Sequence, residues 1–155
     1  MVSLGSRDSD IVAALRAEFP HARITRDEGD LAHEVGAIVA HLEGREPHAD
    51  LALDVRATAF QWRMWDSLRT IPPGETRSYG ALARAIGRPQ AARAVGRACA
   101  TNPVSLIVPC HRAVGADGKL TGYRWGVERK KALLEGERAR AASPARRGMR
   151  RPPQS

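Results

Sequence analysis

"SYGALARAIGRPQAARAVGRACA", residues 78–100, decides how the chain folds. Apolar residues recur at helical spacing from about Ser78 to Ile86, and Gly87 breaks the pattern. Pro89 then sits where a first helical residue is expected, and a second helix runs to about Ala100. Two short helices joined by a three-residue turn containing glycine describe a helix-turn-helix. The second helix carries small residues, Ala91, Ala92, Ala94 and Gly96, beside Arg88, Arg93 and Arg97. Small side chains let a backbone approach a surface and arginines attract phosphate, which suits a DNA groove. The same alanines equally fit a helix packed inside a protein.

Upstream, "TAFQWRMWDSLRTIPPG" begins with Thr58 and Gln61 in capping-box spacing. Phe60, Met64 and Leu68 fall four apart on one face of the helix that follows, which ends before the Pro-Pro-Gly turn. Downstream, after Asn102 and Pro103, Val104 to Val108 reads as a buried strand that Pro109 ends, leaving Cys110 exposed at its tip. His111 is adjacent to the cysteine. A thiol near neutral pH needs a base or a positive neighbour to become a nucleophile. Neighbours in an extended chain point to opposite sides, so His111 reaches the sulfur only at a bend or through a water. An isolated Cys-His pair is more often structural than reactive.

Charge divides the chain. Residues 1–55 hold 5 basic and 11 acidic side chains, a net −6; residues 56–137 hold 14 and 6, a net +8; residues 138–155 add 6 basic and no acidic ones. The first part repels a polyanion and the remainder attracts one, which suggests two lobes with nucleic acid as partner of the second; a solvated basic surface is the alternative reading. Within the acidic part, a helix opened by Ser9, a short strand "HARITR", a helix "DLAHEVGAIVAHLEG" with Leu31, Val35, Ile38, Val39 and Leu42 on one side, and a strand "DLALDV" are expected. His21, His33, His41 and His48 are scattered without metal-ligand companions. The basic tail, 139–155, ends in prolines and is expected to be disordered. Two cysteines without paired spacing argue against a zinc site or a structural disulfide, and Cys99 reads as a buried thiol. No apolar run reaches the roughly 20 residues of a membrane span, and no signal pattern opens the chain, so a cytoplasmic protein is expected.

Context changes the reading of the Cys-His pair. "PCHR" at Pro109–Arg112, preceded by "NPVSLIV" and followed by "GYRWGVERKKALLEGE", resembles the signature of the O6-alkylguanine-DNA alkyltransferases, most closely their bacterial Ada-like members. The resemblance implies direct reversal of damage: an alkylated guanine is flipped from double-stranded DNA and its O6-alkyl group moves onto a cysteine, once per protein molecule, without a cofactor. It implies Cys110 as acceptor, His111 as base through a water, Glu137 as the residue orienting the histidine, and Asn102 as the brace of the turn. Tyr79 is then the contact to the flipped nucleotide and Arg93 the finger that fills the vacated stack. Backbone near Ala113 and Arg124 would read the base edges, and Arg88, Ala91, Ala92, Ala94, Gly96 and Arg97 would face the DNA.

The zinc-binding cysteines of the complete Ada protein and the zinc ligands of the human-type enzyme are missing, so no metal is expected. In architecture the resemblance implies an α/β protein of two lobes. A small ribonuclease H-like lobe spans 1–55, and a mainly helical DNA-binding and active-site domain, with its helix-turn-helix at about 78–100, spans 56–138. A monomer is expected. Two other classes remain: a non-catalytic alkyltransferase-like damage binder, against which Cys110 argues, and a helix-turn-helix regulator, which would need longer polar side chains on its recognition helix. A cysteine hydrolase lacks a separate histidine motif.

Overall fold

The capping box at the start of the basic half is formed as its spacing requires. In this computed structural model, which describes residues 1–2, 5–26, 29–46 and 48–143, Thr58 Oγ1 accepts from the Gln61 amide (3.2 Å) and Gln61 Oε1 accepts from the Thr58 amide (2.8 Å). This box opens helix α3 (Ala59–Arg69), which follows α1 (Asp8–Glu18) and α2 (Ala32–Leu42). Met64, Trp65 and Leu68 on one side of α3 are buried, and Ile71 continues that face into the turn. Trp62 packs edge-on against Trp65, ring centroids 5.2 Å apart.

Strand β1 (Arg77–Ser78) leads directly into α4 (Tyr79–Ala85), with Ser78 Oγ accepting from the Ala81 amide as its cap. Helix α5 (Ala92–Ala100) packs against α4, contributing Val95, Ala98 and Cys99 to a core completed by Leu82 and Ala83. The 3₁₀ turn Cys110–Arg112 runs into β2 (Ala113–Val114), and α6 (Val127–Ala142) closes the fold. Strands β1 and β2 pair in parallel, Arg77 with Ala113 and Ser78 with Val114. That two-residue ladder is what fastens the Cys110 turn beside the first residue of α4.

Several sequence expectations need correction. The turn between α4 and α5 is longer than three residues: Gly87 takes a left-handed φ of 71°, the turn continues through Pro89, and α5 starts at Ala92 with Ala91 as its cap residue. Pro89 therefore precedes the helix. Val104–Val108 is not a strand but a tight buried loop. Leu106 adopts φ 77°, and the Val108 amide bonds back to Val104 O (3.0 Å).

In the acidic part, α1 opens at Asp8 with Arg7, not Ser9, as its cap residue. The segments 23–26 and 50–57 form no strand and join no ladder among the described residues. Burial alternates along 51–58 as in a strand, without a partner to complete one, and the described architecture is mostly helical with one small sheet. Among the described residues the apolar side of α2 is only partly covered: Leu31, Val35 and Val39 are exposed and, with the half-buried Ile38 and Leu42, line an open cavity of about 510 Å³. At the other end, α6 extends to Ala142, so the tail expected from 139 begins in a helix; the rest of that expectation falls on 144–155, outside the described residues. No helix among the described residues is long and apolar enough to cross a membrane.

The capping box gives a direct test of how α3 is fixed. Thr58→Ala removes the side-chain acceptor at the helix start and is expected to lower stability by about 1 kcal/mol, whereas Thr58→Ser retains it. Urea unfolding of the two variants beside the wild type measures the difference.

Candidate active site

Helix α6 buries one stripe, Lys130, Leu134 and Glu137, spaced four and three apart. An ionised carboxylate at its inner end is tolerated only if partners replace its lost water. Glu137 receives four. The Gly74 amide donates to Oε2 (2.7 Å), Arg112 Nε lies 3.1 Å from the same oxygen, Arg112 Nη2 donates to Oε1 (2.7 Å), and His111 Nε2 stands 2.8 Å from Oε1. Burial pushes the Glu137 carboxyl up, but hydrogen bonds from His111 and Arg112 outweigh it and bring the pKa down to about 2. Arg112, fully buried, also donates to Ile71 O (2.6 Å), so all of its reach is spent on α6 and the turn after α3.

The charge state of Glu137 fixes the histidine. An ionised carboxylate can only accept, so His111 Nε2 carries the proton in that bond. His111 is itself buried; desolvation lowers its pKa, partly opposed by the Glu137 contact, and the ring is neutral near pH 7. Nδ1 is then an unprotonated lone pair, buried without a hydrogen-bond partner among the described residues. A neutral imidazole with one nitrogen held and the other open is the form of a general base.

The cysteine is closed in rather than exposed, with no accessible surface at Cys110, a correction to the sequence reading. Asn102 accounts for the difference. Its Nδ2 donates to Val108 O (3.0 Å) and to Cys110 Sγ (3.3 Å), while its Oδ1 accepts from the Val104 amide (3.0 Å). One side chain thus closes the 104–108 loop and places the sulfur. Ser105 Oγ is 3.9 Å from Sγ and accepts from the Trp125 indole N–H (3.1 Å). Burial raises the Cys110 pKa; hydrogen bonds from Asn102 and Ser105 and the charge of Lys130 oppose that rise. The resting group is a thiol. Cys99 is pushed up to about 12, again by burial first and then by Cys110, and is inert.

The remaining residues singled out in the sequence lie around this cluster. Tyr79 donates to Thr121 O (2.8 Å), and its ring faces Lys130 Nζ at 5.7 Å. Ala113 is buried in β2, next to the turn. Arg93, Ala94 and Arg97 are exposed on the outer side of α5, opposite its core-facing Val95, Ala98 and Cys99; Arg88 is exposed in the preceding turn, and Ala91, Ala92 and Gly96 are half-buried. The helix is therefore two-faced, not an internal alanine helix. Arg93 and Arg97 line a groove of about 470 Å³ with Thr58, Phe60 and Gln61, apart from the Cys110 cluster. Arg124 is drawn the other way, ion-paired to Glu18 of α1.

Three site residues escaped the sequence reading: Arg112, Lys130 and Ser105. Lys130 is fully buried and donates to Thr121 O (2.7 Å). Its spacing from Glu137, two helical turns on one stripe, was the available signal. Among the described residues no cluster of three metal-ligating side chains forms.

Comparison with known proteins decides what this arrangement belongs to. Residues 59–139 match the family model "6-O-methylguanine DNA methyltransferase, DNA binding domain". The chain belongs to the O6-methylguanine-DNA methyltransferase family. A methylated-DNA--protein-cysteine methyltransferase of Mycobacterium bovis is 54% identical over 117 residues, covering 76% of this chain and 71% of that protein. The bifunctional transcriptional activator/DNA repair enzyme Ada of Escherichia coli is 47% identical over 136 residues; the match covers 88% of this chain but only 38% of that longer protein. Among solved structures, Mycobacterium tuberculosis OGT in complex with DNA superposes with a TM-score of 0.69 at 53% identity, over 75% of this chain and 71% of that one. In this methyltransferase family member, as the geometry above describes it, the acid-base cluster and the two-faced helix occupy the same matched region.

The Glu137 network sets an acid limit on stability. Its pKa is held below the ordinary 4.5, so its contribution is complete above that value and is lost as pH falls from roughly 5 toward 2. Glu137→Gln leaves Arg112 buried without a counter-charge and is expected to cost about 3 kcal/mol at pH 7. The variant should also lose less additional stability than the wild type on acidification. Urea midpoints at pH 7 and pH 4 for both proteins check the two effects together.

Proposed function

We propose that this protein repairs O6-alkylguanine in double-stranded DNA by taking the alkyl group onto Cys110, each molecule acting once. The observation that carries the reading is the neutral His111, held at Nε2 by an ionised Glu137 and open at Nδ1, next to a thiol braced by Asn102. In the reaction His111 Nδ1 takes the Cys110 proton through a water, and the resulting imidazolium is stabilised by Glu137. The sulfur forms a bond to the alkyl carbon as the carbon–O6 bond breaks; its electron pair leaves with guanine, which is then protonated. The thioether cannot revert, which makes the protein its own consumed reagent. A raised thiol pKa suits this use, because the nucleophile is generated only when a base is engaged.

DNA recognition follows from α5. Its small residues, Ala91, Ala92, Ala94 and Gly96, allow close approach to a groove, and the exposed Arg88 and Arg97 meet phosphates. Arg93 fills the gap left by the flipped base, offsetting an unstacking cost of a few kcal/mol. Tyr79 contacts the flipped nucleotide, and backbone near Ala113 and Arg124 reads its edges. The segment 1–55 is the counterpart of a ribonuclease H-like lobe. Support for this comes from the extent of the structural match and from the strand-like alternation at 51–58.

Intact mass and peptide mapping after mixing with a duplex carrying one O6-methylguanine test the reading. One methyl group on Cys110, saturating at one per molecule and missing in Cys110→Ser, is the expected outcome; tight binding without mass change would mean a damage binder. Arg93→Ala should slow repair in duplex DNA far more than reaction with the free alkylated base. Equal losses would remove Arg93 from the flipping role.

A further inference from the structure

One wall beside the sulfur is tied to the acidic N-terminal part. Trp125 donates its indole N–H to Ser105 Oγ (3.1 Å), and that oxygen is 3.9 Å from Cys110 Sγ. Over the face of the Trp125 ring lies the Arg124 guanidinium, 5.2 Å from the ring centroid. Arg124 is in turn ion-paired to Glu18, the last residue of α1. Glu18, Arg124, Trp125, Ser105 and Cys110 therefore form one connected series, whose first link, Glu18 to Arg124, spans 106 residues of sequence.

The series restrains Trp125 from two sides. Its polar edge is held by Ser105 and its face by a guanidinium, and a cation over tryptophan is the stronger form of that contact. The guanidinium is itself held, because side-chain exposures of 23% for Arg124 and 35% for Glu18 screen the pair less than open solvent would. Without Glu18, Arg124 regains its rotamers and Trp125 keeps only the hydrogen bond to Ser105. The consequence is felt at Cys110, where the surface is already closed. A methyl group arriving at Sγ needs little room beside the Ser105–Trp125 wall; a benzyl group needs Trp125 to move.

We propose that Glu18 is a positioning residue that limits the size of the alkyl group Cys110 accepts, by pinning Arg124 over Trp125 and so keeping Trp125 against Ser105. The proposal rests on the alkyl-transfer reading above. Its sequence origin is unusual for a specificity determinant: the residue lies outside the matched region 59–139, on a helix with no buried side chain.

Rates of methyl transfer from an O6-methylguanine duplex and benzyl transfer from the matching O6-benzylguanine duplex are followed by intact mass for wild type, Glu18→Gln and Glu18→Asp. Glutamine keeps the shape and removes the charge; aspartate keeps the charge on a shorter stem. Glu18→Gln is expected to transfer methyl at the wild-type rate and to raise the benzyl-to-methyl rate ratio roughly fivefold, the upper range for a partly exposed ion pair. Glu18→Asp should return the ratio toward wild type. Because both duplexes share one sequence, changes in DNA affinity cancel in the ratio. An unchanged ratio in Glu18→Gln overturns the proposal, as does an equal fall in both rates, which would mark a structural loss. A wild type that accepts no methyl group overturns the functional reading itself, and this proposal with it.

Discussion

A single buried carboxylate holds this site together. Glu137 binds the Gly74 amide, Arg112 and His111 at once, joining α6, the turn after α3 and the 3₁₀ turn. Arg112 spans the same three segments from the other side, through Ile71 O and Glu137. The carboxylate's cost in desolvation is met because each lone pair has a donor, two of them from an always-charged guanidinium. The same arrangement that makes the charge tolerable orients the imidazole. The imidazole is therefore held by the same hydrogen bonds that seat α6, and it cannot be repositioned without loosening that packing.

Burial of the thiol follows from the same economy of parts. Asn102 satisfies two backbone groups and the sulfur with one side chain. Where a surface cysteine would titrate freely and meet oxidants, burial keeps this one a shielded thiol. The arginines stand elsewhere, on the outer side of α5, so the charge that attracts a polyanion does not bear directly on the pKa of the thiol.

Signals that act within one turn of chain are legible in the sequence. The Thr58–Gln61 box, the Ser78 start and the Gly87 break all depend on residues within one turn of each other. The errors arose where distant partners decide. Val104–Val108 has the composition of a strand, yet Asn102 folds it back through a left-handed Leu106. Pro89 is compatible with a first helical position, but the turn runs on to Ala91. Arg112 and Lys130 carry charges that composition assigns to the surface; only the tertiary partners Glu137, Ile71 and Thr121 make them core residues. Cys110, His111 and Glu137 are singled out only by the family resemblance, because nothing in the local pattern of "LLEGE" distinguishes a buried acid from a solvated helix end. "DLALDV" has the alternation of a strand and "HARITR" only its length, but pairing is a property of two segments and cannot be seen in one.

The left-handed Leu106 bears on which sequences can occupy this loop. At φ 77° and nearly full burial, the position asks for opposite things of its backbone and its side chain. Glycine would relax the backbone but leave a hole beneath the loop; valine or isoleucine would come closer in volume but fit the left-handed region worse. Asparagine tolerates the dihedral and brings a polar group into an apolar place. The repertoire of acceptable residues is thus narrow for reasons unrelated to chemistry at the sulfur, so restricted variation at this site reports on loop geometry rather than on contact with DNA.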